Sequence, residues 1–277
     1  MTENPKENRT ASYRTTPLRA MPLESFEEEY RAGRIDIHVL LAMREMFRRQ
    51  PRIFANALPK SRCIYALAEK GDAIELDVYD VVGLGGDSPT AKQVLDRLSS
   101  AKNAKTIELR INSAGGLVDE GLSMYSLLAQ HPARKIVHVD SLAASIASVL
   151  CMCGDEIVMA ESAMMMIHNP WSLALGDAAE LRKTADILDK RAGQLAGIYS
   201  ARTGQSLPNV FDAMARETWM TANEAKALGY ATRIVPSKGI AARARVFDLT
   251  PFRHVPAAAY ALAATTKPTT SVRTMRR

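Results

Sequence analysis

Lys135-Ile136-Val137-His138-Val139, running on through Asp140 into Ser141-Leu142-Ala143-Ala144-Ser145-Ile146-Ala147-Ser148, is the stretch that decides the fold. Its first five residues read as a buried strand. The second part opens a helix of small and apolar residues. A serine at such a junction has main-chain N–H groups beside it and the positive end of a helix beneath it. That place suits a nucleophile. It suits an ordinary helix cap equally well, so Ser145 alone decides nothing.

Outward from this junction the chain alternates strand and helix. Ala73-Ile74-Glu75-Leu76-Asp77-Val78-Tyr79 alternates apolar and polar residues and reads as a strand, as does Thr106 to Ile111. Between them Ser88-Pro89-Thr90 opens a helix to about Lys102, with Ser88 as N-cap and Pro89 at the first helical position. The loop Asn112-Ser113-Ala114-Gly115-Gly116 leads to a helix over about Asp119 to Gln130, ended by His131-Pro132. Gly154 reads as the C-cap of the helix that Ser145 opens. Glu156 to Met159 and Ala163 to Ile167 read as short strands. Asp177-Ala178-Ala179-Glu180 is a capping-box pattern, and Leu181, Ala185, Leu188, Ala192, Leu195 and Tyr199 give the helix behind it one apolar face, ended by Gly204. Shorter helices follow over Leu207–Glu217 and Ala222–Leu228, then a strand from Tyr230 to Val235. This order implies an α/β domain with a largely parallel sheet.

The ends differ from the middle. Residues 1–65 hold twelve Lys and Arg against eight Asp and Glu; residues 237–277 hold eight against one. With a formal charge of +6 for the chain, the middle is mildly acidic. A nucleic-acid enzyme is expected to carry positive charge on its folded face, so nucleic acid is expected at most for the tails. The first twenty residues read as disordered, Ser25 to Gln50 as a docking or linker helix stopped by Pro51, and the stretch beyond Pro236 as a mobile basic tail. The division is thus 1–64 N-terminal extension, 65–236 α/β domain, 237–277 tail. No apolar run is long enough for a membrane span, and the N-terminus lacks the apolar core of a signal peptide. Cys63, Cys151 and Cys153 suit a reducing compartment; the last two sit too close for zinc spacing and read as packed apolar residues. No cofactor or metal is expected.

Four features of this pattern are placed to meet at one edge of the sheet. Gly115-Gly116 lets another backbone approach and turns N–H groups outward, although a tight turn explains it as well. Ser145 is the second. His168, ending the Met-rich strand before Asn169-Pro170-Trp171, is the third, although a lone histidine is usually structural. An acidic residue to orient it is the fourth, with Glu217 and Asp212 as candidates.

Asn112-Ser113-Ala114-Gly115-Gly116, Ala143-Ala144-Ser145, Met166-Ile167-His168-Asn169-Pro170, Thr203-Gly204-Gln205 and Trp219-Met220-Thr221-Ala222-Asn223-Glu224-Ala225, in this order, resemble the Clp protease proteolytic subunit. The resemblance covers about Ala73 to Val235. Its finer features, Leu142-Ala143-Ala144-Ser145, His168-Asn169-Pro170-Trp171 and Glu217 to Ala222, resemble the head maturation (prohead) proteases of tailed bacteriophages. It implies a ClpP/crotonase-like fold of repeated strand-strand-helix units. It also implies a serine endopeptidase with Ser145 as nucleophile, His168 as base and Glu217, where the Clp subunit has Asp, as the third member; Asp212 stands in reserve. The oxyanion hole falls on the N–H groups of Gly116 and Ile146, and an extended substrate pairs with the main chain of Gly115, Gly116, Leu117 and Val118. Ser141 replaces a glycine of the Clp subunit. The resemblance further implies a ring-like homo-oligomer in the bacterial cytoplasm or the assembling phage head, with capsid or scaffold protein as substrate. The alternatives are a housekeeping Clp-like peptidase fed by an ATPase, a crotonase-type acyl-CoA enzyme, a membrane-associated peptidase with a Ser-Lys pair, and an inactive scaffold-binding protein of the same fold.

Overall fold

The computed structural model describes residues 72–83, 88–237, 249 and 252–259. The helix expected over Ser25–Gln50, Cys63, and most of the basic tail lie outside these. Among the described residues one sheet of seven strands forms, ordered β1 (Ala73–Tyr79), β2 (Thr106–Ser113), β3 (Arg134–Ala144), β4 (Glu156–Ala160), β7 (Arg233–Val235). All neighbours in that path are parallel. β3 outruns β4. Its first half pairs with β4 through Ile136 to Val139, and its second half pairs with β5 (Met164–Ile167) through Leu142 to Ala144. β5 in turn pairs antiparallel with β6 (Thr218–Thr221). The sheet therefore forks around Asp140, where the β2–β3 register also shifts. Asp140 is buried at the fork and accepts hydrogen bonds from Arg110 and Tyr79.

The helices are α1 (Ala91–Ser100), α2 (Val118–Gln130), α3 (Ile146–Cys151), α4 (Ala178–Thr203), α5 (Leu207–Ala215) and α6 (Ala222–Ala227). Val94, Leu98, Met124 and Leu128 from α1 and α2 share one buried cluster with Ile74, Leu76, Ile107, Leu109 and Val137 of the strands. Thr90, not Ser88, caps α1, because Thr90 and Gln93 form a reciprocal capping box and leave Pro89 outside the helix. Asp177 and Gly204 bound α4 as expected, Gly204 in the left-handed conformation at φ 73°. The apolar face of α4 is buried only from Ala192 onward. Leu181 and Ile187 are 44% and 49% exposed, because a helix of 26 residues, about 39 Å long, outruns the core it packs on. The helix expected to end at Glu217 stops at Ala215, Arg216 and Glu217 form a turn, and β6 follows directly. Cys151 and Cys153 are buried; burial raises both thiols, Cys153 to about 12, as suits packed rather than reactive cysteines.

Candidate active site

The fork in the sheet brings the candidate residues together. Parallel pairing of Ala144 with Met166 sets the ends of β3 and β5 side by side, and the Ser145 N–H closes that ladder on the Met166 carbonyl at 2.9 Å. The chain then turns sharply at Ser145, which takes φ 55° and ψ −131°. That turn points Ser145 at the end of β5, and His168 Nε2 lies 2.7 Å from Ser145 Oγ. The antiparallel β5–β6 ladder ends with Ile167 opposite Thr218, so one step beyond it His168 and Glu217 face each other. Glu217 also has a positive φ, 53°. Three non-glycine residues have positive φ among the described residues, and two of them are Ser145 and Glu217. Strained backbone of this kind persists where surroundings over-determine it, commonly at functional sites.

Tyr199 of α4 braces the Ser145 turn from behind. The Ser148 hydroxyl gives its one hydrogen to the Ser145 carbonyl (2.6 Å), so the buried Tyr199 hydroxyl, 2.7 Å away, donates to Ser148. The glycine loop closes the front. The Val82 N–H donates to the Gly115 carbonyl at 2.7 Å, and the Leu117 N–H donates to the Val82 carbonyl at 2.9 Å, a single parallel bridge. This bridge leaves room for no side chain at Gly116, where a Cβ would sit 2.1 Å from the Val82 carbonyl oxygen. A Cβ on Gly115 (φ 97°) would sit 2.6 Å from Ser145 Cβ. The Ser113 hydroxyl fixes the loop by accepting from the Gly115 N–H and donating to the Asp80 carbonyl. Behind the loop, α2 presses on α3. Gly121 leaves space for Ile146, and a Cβ there would meet Ile146 Cγ1 at 2.2 Å.

Strand geometry turns the Gly116 N–H away from Val82 and toward the Ser145 side. Among the described residues neither it nor the Ile146 N–H donates to another group. Because α3 has only six residues, its local N–H groups rather than a long helix dipole are what the site has to offer. Leu117 has both main-chain groups engaged, with Val82 and Gly121. Asp212 of α5 is exposed and pairs with Arg216, the C-cap of that helix. Among the described residues no group of three His, Cys, Asp or Glu is arranged to hold a metal ion.

Electrostatics divide the roles further. Burial is the largest influence on His168 and lowers its pKa, while the charge of Glu217 pulls the other way, leaving it below the ordinary histidine value. A neutral imidazole at pH 7 can accept a proton. Burial opposes ionisation of Glu217, but the N–H groups of Arg253 and His254, the Trp219 indole N–H and His168 outweigh it and hold its carboxyl below the usual range. Those donors lie 2.9, 2.8 and 3.1 Å from the carboxylate oxygens. No hydrogen bond joins Glu217 to His168 among the described residues.

The sequence model of the Clp protease family, described as "Clp protease", matches residues 86–238, more than half of the chain. The chain belongs to the Clp protease family. Its likeness to named members agrees. The "ATP-dependent Clp protease proteolytic subunit 3" of Rhodococcus jostii is 33% identical over 144 residues, spanning 50% of this chain and 70% of that protein. "ATP-dependent Clp protease proteolytic subunit 1" of Protochlamydia amoebophila is 31% identical over 159 residues, 54% and 77% of the two chains. The "ATP-dependent Clp protease proteolytic subunit" of Bacteroides fragilis is 32% identical over 143 residues, 51% and 69%. Membership of the Clp family makes the protein a peptidase with a largely parallel α/β fold. Ser113, Ser148, Tyr199, Gly121 and Phe252 complete the neighbourhood of the candidate residues, and sequence reasoning did not find them. Ser113 and Ser148 lie within motifs already noticed, but their partners Asp80 and Tyr199 are distant in sequence.

Proposed function

We propose that this protein is a serine endopeptidase whose nucleophile is Ser145, activated by His168 and assisted by Glu217. The 2.7 Å contact between His168 Nε2 and Ser145 Oγ carries the reading. Ser145 Oγ attacks the scissile carbonyl carbon as its proton passes to His168 Nε2. The resulting oxyanion faces the N–H groups of Gly116 and Ile146, each typically worth about 10²–10³ in rate. His168 then protonates the leaving amine as the C–N bond breaks, and a water deprotonated by His168 releases the acyl group from Ser145. The carboxylate of Glu217 stabilises the imidazolium formed in both steps. The main chain at Gly116 and Val118 pairs with an extended substrate, which gives affinity with little sequence choice. The test is a fluorophosphonate probe on the parent, Ser145→Ala and His168→Ala. Labelling of the parent alone is expected; labelling that survives Ser145→Ala would sink the assignment.

The substrate proposed is capsid or scaffold protein of an assembling phage head. Supporting it are the basic segments outside the family match and Glu217 in place of the Clp subunit's aspartate. The second reading, a housekeeping subunit that works with an ATPase, is favoured by the names of the relatives. In either case the proposed assembly is a homo-oligomeric ring, supported by the exposed Trp171, Leu173, Leu175, Leu181 and Ile187 at the start of α4 and in the loop before it. Coexpression with capsid and scaffold protein separates the readings. Cleavage by the protein alone is expected; degradation that needs an added ATPase favours the second.

A further inference from the structure

Part of the basic segment beyond Pro236 lies on the candidate site. Leu249 and Ala259 are buried in a small apolar cluster with Leu142 and Ala144 of β3 and Met164 and Met166 of β5. Between them, the ring of Phe252 stands edge-on to the imidazole of His168, with centroids 5.6 Å apart and planes at 80°. The same ring meets Trp219 at 5.8 Å. The next two residues reach Glu217 through their main chain: the Arg253 N–H donates to Oε2 at 2.9 Å and the His254 N–H to Oε1 at 2.8 Å. One short piece of chain thus touches both the candidate base and the candidate acid. We propose that residues 252–254 are a positioning element of the active site, with Phe252 orienting His168 and two main-chain N–H groups fixing the Glu217 carboxylate.

The chemistry favours this over a role in covering the surface alone. A carboxylate beside an imidazole swings between rotamers unless other donors hold it, and two N–H groups from consecutive residues do so without adding charge. Aromatic edges pack favourably on ring faces and restrict rotation about the histidine side chain. Among the described residues the charged group acting on His168 is Glu217, from the turn before β6, while Asp212 of α5 pairs with Arg216 just beyond that helix, and Arg253 and His254 meet Glu217 through their main chain. Phe252 contributes to the burial that lowers His168.

The inference rests on the serine-peptidase reading, and the rate of fluorophosphonate labelling against pH tests the two separately. A full-length parent that never labels sinks the reading itself. With a labelling parent, Phe252→Ala is expected to slow acylation by at least about tenfold. Its acid midpoint is expected to rise, because the exposed imidazole returns toward its ordinary value. Arg253→Pro, which deletes one N–H, is expected to slow labelling likewise, whereas Arg253→Ala keeps that N–H and is expected to match the parent. This pair keeps the test open if Phe252→Ala does not fold. Parental rates and midpoints in Phe252→Ala and Arg253→Pro, or faster labelling, would overturn the inference.

Discussion

Replacing Gly121 by alanine is expected to slow acylation of Ser145 far more than it destabilises the fold. The new Cβ would sit 2.2 Å from Ile146 Cγ1 and 3.3 Å from Ile146 Cβ. Carbon atoms normally approach to about 3.5–4.0 Å, so a separation of more than about 1 Å must be found. Ile146 is β-branched and fully enclosed, so its side chain has little freedom to rotate away. The first turn of α3 must move instead, and with it the Ile146 N–H. Overpacking costs about 1–3 kcal/mol, while alanine gains about 1 kcal/mol over glycine in a helix. The net loss of stability is about 0–2 kcal/mol. A donor misplaced by about 1 Å costs roughly 10²-fold in rate. The assay is the rate of labelling by a fluorophosphonate, beside a thermal melt. Ile146→Ala removes the clashing carbons and keeps the N–H, so adding it to Gly121→Ala is expected to restore labelling to the level of Ile146→Ala alone. A folded Gly121→Ala that labels at the parental rate, or the same slowing in both backgrounds, would refute the idea that α2 positions this donor.

Two further outcomes follow from the same geometry. Glu217→Gln removes the charge that raises His168, so the imidazole stays neutral to lower pH; the acid limb of the pH–rate profile is expected to move down while the plateau falls roughly 10²–10⁴-fold. An acid limb that stays in place or moves up would mean that Glu217 does not act on His168. Tyr199→Phe deletes the hydrogen bond behind the Ser145 turn and is expected to cost about 1 kcal/mol by denaturant unfolding, with slower labelling; unchanged labelling would confine Tyr199 to the core.

Much of this was legible in the sequence because strands and helices announce themselves by period. Ile74, Leu76 and Val78 alternate inward, and Asp177 with Glu180 marks the start of α4. β6 was not legible: its four residues are too few for alternation to register, and the motif around Trp219 gives no strand signal on its own. The ladder that sets Glu217 opposite His168 was therefore invisible, and resemblance alone singled Glu217 out over Asp212. Asp212 instead makes an exposed pair with Arg216 one helical turn away, a contact its spacing already allowed. The Ala- and Pro-rich stretch around Phe252 has no period, and its grip on Glu217 runs through main-chain atoms that every residue but proline shares. Composition carries no trace of such a contact.

The fork in β3 has a mechanical consequence. Ser145, His168 and Glu217 all hang from the short three-strand leaf formed by the upper half of β3 with β5 and β6, whereas Gly115 and Gly116 extend from β2. Flexing at Asp140 would carry Ser145, His168 and Glu217 as one body and leave their mutual alignment intact. What it would open is the seam between that leaf and the glycine loop, where Gly115 and Ser145 abut too closely for even one extra methyl group. The joint most sensitive to strain transmitted through the sheet is thus the one between the Ser145 hydroxyl and the Gly116 N–H, one of the two proposed oxyanion donors, whereas the other, on Ile146, travels with Ser145.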